Sequence, residues 1–98
     1  MTALSTDLAD PDAFPYFLWD DPMTVSEVKE RLRSASEEER LRLMAVVLRE
    51  ARDPDVWLFL SPAEVLAAWP RLAGRLGQRR LFWEFLLERW KKLGLVAA

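Results

Sequence analysis

Three helix-start signatures divide this chain into short pieces and leave little room for anything but short helices. Thr24-Val25-Ser26-Glu27 and Ser36-Glu37-Glu38-Glu39 are capping boxes. In each, the hydroxyl accepts from a backbone amide three residues on, and the glutamate can reach back to the first amide. Ser61-Pro62-Ala63-Glu64 is the third start. There a hydroxyl caps and proline takes the first helical position, where its missing N–H is no loss. Stop signals are Asp53-Pro54-Asp55, Gly77 and Gly94.

The apolar spacing between the signals predicts which faces are buried. Val25, Val28 and Leu32 share one face of a first helix ending near Ser34. Leu41, Met44, Ala45 and Leu48 form a stripe on the second, and Leu43, Val46 and Val47 widen it past half the circumference. A helix apolar over most of its surface is buried on several sides, so the second helix is expected at the centre. Val56–Leu60 is continuously apolar and has no strand to pair with, so a short helix capped by Asp53 is expected. In the run from Ser61, Val65, Leu66 and Trp69 make the inner face, and Pro70 is expected to break or kink it. The last helix, from about Gln78 to Leu93, carries large apolar residues on nearly all sides. Gly94 suits a left-handed helix end, with Leu95 folding back on Trp90.

The expected fold class is all-α: a small irregular orthogonal bundle of four to five short helices with an extended aromatic N-terminal segment. Residues 1–13 read as a flexible leader, and 14–98 as a single helical domain. Pro15 and Pro22 bracket the aromatic segment and oppose helix within it.

Catalysis by this chain alone is disfavoured. It has no histidine and no cysteine, which removes the usual general base, the usual metal ligands and a disulfide framework. Glu37-Glu38-Glu39 is a dipole-favoured helix start rather than an opposed catalytic pair. Asp20 and Asp21 are too few for a hard-metal site. No catalytic residue, metal or cofactor is expected. Met1–Leu18 holds no Lys or Arg and no long apolar run, unlike a secretory signal, and no stretch is long enough to span a bilayer. A cytoplasmic location is expected.

Two features point to binding. The chain carries 16 acids against 14 bases, yet residues 1–22 hold five of the acids and no base. The remainder is therefore basic, most sharply over 71–92. Arg71, Arg75, Arg79 and Arg80 there could face an anion or nucleic acid, or the basic half and the acidic N-terminal tail could simply neutralise one another. A helix-turn-helix across Gly77 is disfavoured, because Leu81–Leu87 is too apolar for a recognition helix.

The second feature is the aromatic surplus: five Trp, five Phe and one Tyr. Trp57, Trp69, Phe85 and Trp90 are most easily placed in the core. Phe14, Tyr16, Phe17 and Trp19, beside Asp20 and Asp21, form either a lid on their own domain or a segment that inserts into a partner. In the second case Phe17 and Trp19 would be the anchors.

Three stretches, Phe14–Met23, Arg49–Trp57 and Arg79–Trp90, with Trp69–Leu72 between them, resemble small bacterial proteins encoded beside nucleotidyltransferases of the AbiEii toxin type. The likeness runs over roughly residues 14–95 and includes no catalytic motif. It implies a helical companion to a nucleotidyltransferase, antitoxin-like in role. The expected function is a non-catalytic protein-binding module with such a partner. The alternative is a nucleic-acid-associated regulator that uses the basic 71–92 region.

Overall fold

The computed structural model describes residues 4–34 and 36–94. These residues are mostly helical, with one very small sheet. Each helix start named above forms. Helix α1 (Val25–Ser34) begins with the Thr24–Glu27 box closed in both directions: Glu27 N–H donates to Thr24 Oγ1 at 3.1 Å, and Thr24 N–H to Glu27 Oε1 at 3.2 Å. Helix α2 (Glu37–Glu50) is capped by Ser36, whose hydroxyl accepts from Glu39 N–H. Helix α3 (Asp53–Val56) is a single turn entered through Arg52 rather than Asp53. Helix α4 (Pro62–Leu72) has Ser61 as its cap, accepting from Glu64 N–H at 3.1 Å. Two 3₁₀ turns, Ala73–Arg75 and Gly77–Arg79, lead into α5 (Arg80–Lys92).

Pro70 does not break its helix. α4 runs through it to Leu72. The proline sits in the last turn, so only one rung of the ladder is lost, and the 3₁₀ turn takes over directly. Gly77, with φ of 56°, supplies the left-handed residue that opens the second 3₁₀ turn, and Gly94, with φ of 72°, supplies one after α5. The expected Leu95 contact lies outside the described residues.

Helix α2 is central. It contacts α1, α3, α4 and the second 3₁₀ turn. Leu41, Leu43, Met44, Ala45, Val47 and Leu48 on it are all buried. Helix α5 closes the core with Trp83 and Leu87. Trp83 is fully buried, and its indole Nε1–H donates to the Leu48 carbonyl at 2.8 Å. That carbonyl is in the last turn of α2, where helix carbonyls lack intrahelical partners.

Residues 4–13 differ from the expected leader. Leu4–Ser5 (β1) pairs in parallel with Phe14–Pro15 (β2), in the register Leu4↔Phe14 and Ser5↔Pro15. Leu8 is buried in the core. Val25 N–H and Ser26 N–H donate to the carbonyls of Ala13 and Pro11, so the loop also covers the start of α1. One apolar side chain with a place in the core, and backbone donors at a helix start needing acceptors, suffice to dock this stretch. The aromatic segment is extended only at Phe14–Pro15. It then turns, with Leu18 N–H donating to the Pro15 carbonyl.

Candidate partner-binding surface

The aromatic segment docks on its own domain, and this divides the six residues expected to meet a partner. Phe17 is 1% exposed and packs edge-on against Tyr16 and Phe59, with both ring centroids at 5.4 Å. It is core and is unavailable as an anchor while the segment is docked. Phe14 is half-buried in β2. The Tyr16 hydroxyl donates to Asp55 Oδ2 at 2.6 Å and accepts from Arg52 N–H at 2.7 Å. It thus ties the segment to the junction of α2 and α3, and the Arg52 guanidinium lies over its ring. Asp21 pairs with Arg42 on α2 at 3.0 Å. Arg42 also grips Glu39 through Nε and a terminal nitrogen, a hydrogen bond that holds the Glu39 carboxyl below its usual range. Trp19 and Asp20 remain free: Trp19 is 64% exposed, and Asp20 meets no cation among the described residues.

Burial pushes the Tyr16 phenol above its ordinary value of 10, the Arg52 amide that donates to it pulls the other way, and the adjacent Asp55 carboxylate raises it further. The folded chain therefore holds this proton more tightly than the unfolded one. Its stabilisation is complete below about pH 10 and is lost as pH rises through the higher folded value. Tyr16→Phe removes both hydrogen bonds and is expected to destabilise by about 1–3 kcal/mol at neutral pH. Denaturant titrations should show the gap between wild type and variant narrowing above about pH 10.

The four arginines of the candidate anion patch are each committed to an acid. Arg71 pairs with Glu37, Arg75 with Glu38 at 3.0 Å, Arg79 with Asp53 and Arg80 with Glu84 at 2.6 Å. Arg79 also lies over the rings of Phe82 and Trp83. The glutamates at the start of α2 thus act twice: they suit the helix dipole and they neutralise the basic half. Binding a nucleic-acid backbone through these arginines would first require breaking such pairs, so the geometry gives the nucleic-acid alternative no free charge at these positions.

Across the chain, every Lys and Arg meets an acid or an aromatic ring among the described residues, with four exceptions: Arg33, Arg40, Arg89 and Lys92. These four fall into two pairs, and each pair lines an apolar groove. Arg89 and Lys92 line a groove of about 700 Å³ between α4 and α5, with Leu66, Trp69, Leu81 and Phe85 among its apolar residues. Leu81 is 76% and Phe85 62% exposed. Arg33 and Arg40 line a second cleft between α1, α2 and α4.

Phe85 was expected in the core, and the structure corrects that. On α5, Trp83 and Leu87 face inward four residues apart, and Leu81 and Phe85 repeat the same spacing on the opposite side. Trp57, Trp69 and Trp90 are half-buried and pack against the core. Trp57 stands edge-on to both Trp83 and Trp90. Two i, i+4 apolar pairs on opposite faces of one helix are visible in the sequence, and they mark a helix that packs inward on one side and presents an apolar stripe on the other.

Among the described residues, no three acids come together to hold a metal ion, and no helix is long and apolar enough to cross a membrane. Compared with family models, curated proteins and solved structures, the chain matched none.

Proposed function

We propose that this chain is a non-catalytic protein-binding module, the companion of a nucleotidyltransferase-like partner that it restrains as an antitoxin-like regulator. The observation that carries the binding role is the exposed Leu81–Phe85 stripe beside the α4/α5 groove. Contiguous exposed apolar surface of this kind, rimmed by charge, marks protein contacts. The occupant that fits is an apolar segment with acidic flanks. Apolar side chains would cover Leu81, Phe85 and Trp69, and carboxylates would meet Arg89 and Lys92. The rim's own acids are partly occupied, since Glu84 pairs with Arg80 and Glu88 approaches Lys91 at 3.8 Å. Trp19 and Asp20 add a second, aromatic and acidic contact point of the type that dominates interface energetics. The identity of the partner as a nucleotidyltransferase rests on the sequence resemblance alone.

The test is a pull-down with tagged full-length chain from nuclease-treated lysate of the native host, run side by side with Phe85→Asp and read by mass spectrometry. The wild type is expected to retain a nucleotidyltransferase in stoichiometric amount, and the variant to lose it while keeping its helical circular dichroism. Equal recovery by both proteins would overturn the groove assignment. A wild-type eluate without a nucleotidyltransferase would overturn the partner.

A further inference from the structure

The second cleft has a chemistry of its own, independent of the partner-binding reading. It lies between α1, α2 and α4 and encloses about 390 Å³. That is within the range of about 300–1,000 Å³ typical of small-molecule sites, which in helical bundles form between helices. Its floor is apolar: Leu32, Leu41, Met44, Ala67 and Ala68. Leu41 and Met44 are buried core residues, so the floor is held by the central helix. Its polar groups are Arg33, Arg40, Arg71 and a single acid, Glu64.

Arg40 is the informative member. It follows Glu37-Glu38-Glu39 directly, near the start of α2, where the helix dipole disfavours a cation. Three carboxylates precede it, yet each is directed elsewhere: Glu37 to Arg71, Glu38 to Arg75, Glu39 to Arg42 and Arg31. Arg33, at the end of α1, likewise meets no acid among the described residues. Two uncompensated guanidiniums therefore flank an apolar floor, with a third beside them that is paired to Glu37. Guanidiniums bind carboxylates in a two-pronged planar arrangement, which suits a terminal carboxylate on an apolar chain.

We propose that the α1/α2/α4 cleft binds a small amphiphilic carboxylate, with the carboxyl group at Arg33 and Arg40 and the aliphatic chain over Leu41 and Met44. Glu64 opposes the bound charge and limits affinity.

The experiment uses full-length protein labelled with ¹⁵N and titrated with hexanoate, octanoate and decanoate, each below its micelle concentration. Amide shifts are expected to be confined to the residues of the cleft. Each added methylene should tighten binding about threefold to fourfold, as burial of one such group implies. Decanol, which has the chain without the charge, should bind at least tenfold more weakly, and acetate should not bind. Arg33→Gln with Arg40→Gln should weaken decanoate at least tenfold with the spectrum otherwise preserved, since both side chains are exposed. Glu64→Gln should tighten it. Arg89→Gln with Lys92→Gln is the control at the other groove and should leave decanoate binding unchanged. Shifts spread over the α5 stripe, insensitivity to Arg33 and Arg40, or no saturable binding by any carboxylate would each overturn the proposal. So would an acidic peptide displacing decanoate from the cleft and binding there more tightly at every chain length, which would assign it to a protein ligand.

Discussion

Replacing Trp83 by alanine is expected to lower the unfolding free energy by about 3–5 kcal/mol, the usual effect of emptying a fully buried large aromatic site. Whole domains are stable by about 5–15 kcal/mol, so this single change removes a large part of the total. Two effects combine. The indole fills the space between α5 and the C-terminal half of α2, where no solvent reaches it, with Trp57 edge-on at 5.6 Å and Phe82 at 4.9 Å. Its N–H also satisfies the Leu48 carbonyl. Trp83→Phe separates the two effects: it keeps most of the apolar volume and orphans the carbonyl, so a smaller loss of about 1–3 kcal/mol is expected. Chemical denaturation of the three proteins measures both steps. A Trp83→Ala chain as stable as the wild type would show that α5 does not close the core.

The second large effect separates two neighbouring aromatics. Phe17→Ala is expected to destabilise the fold by about 3–5 kcal/mol, because the ring is buried between Tyr16 and Phe59. Trp19→Ala should change stability by no more than about 0.5 kcal/mol, because most of that side chain is in solvent. Affinity for the proposed partner should behave the other way: Trp19→Ala is expected to weaken binding by at least about 2 kcal/mol. Thermal or denaturant unfolding paired with a binding titration checks both halves. Equal partner affinity for wild type and Trp19→Ala would limit the contact to the α5 stripe.

The helix starts were legible because caps are local chemistry: Thr24 with Glu27, Ser36 with Glu39 and Ser61 with Glu64 each act within one turn. The central place of α2 was legible for a related reason. A helix apolar over most of its circumference has few options but enclosure. What escaped the sequence was decided by contacts between distant residues. α5 is apolar on opposite arcs, so periodicity could not say whether Trp83 or Phe85 points inward. Only the position of the Leu48 carbonyl and the Trp57 ring selects Trp83. The Tyr16–Asp55 bond joins residues 39 apart in the chain, and no spacing rule connects them. For the basic stretch 71–92 the charge balance offered an open patch or neutralisation by the acidic N-terminal tail, and the pairing acids belong to neither reading. Glu37 and Glu38, which neutralise Arg71 and Arg75, lie on another helix. The candidate site was thus half legible: an aromatic, acidic contact at Trp19 and Asp20 was visible, but the grooves were not, because each is made by helices that only the fold brings together.

The graded burial of the tryptophans gives this molecule an optical readout built from its own side chains. Trp83 sits in a dry site and should emit at short wavelength, beyond the reach of aqueous quenchers, whereas Trp19 should emit red-shifted light that iodide extinguishes readily. Trp57 stands at 5.6 Å from Trp83 and 5.3 Å from Trp90, close enough for excitation to pass among the three indoles. Emission collected at the red edge therefore reports on the aromatic tip while the interior cluster registers unfolding, so binding and stability can be followed separately in one unlabelled sample.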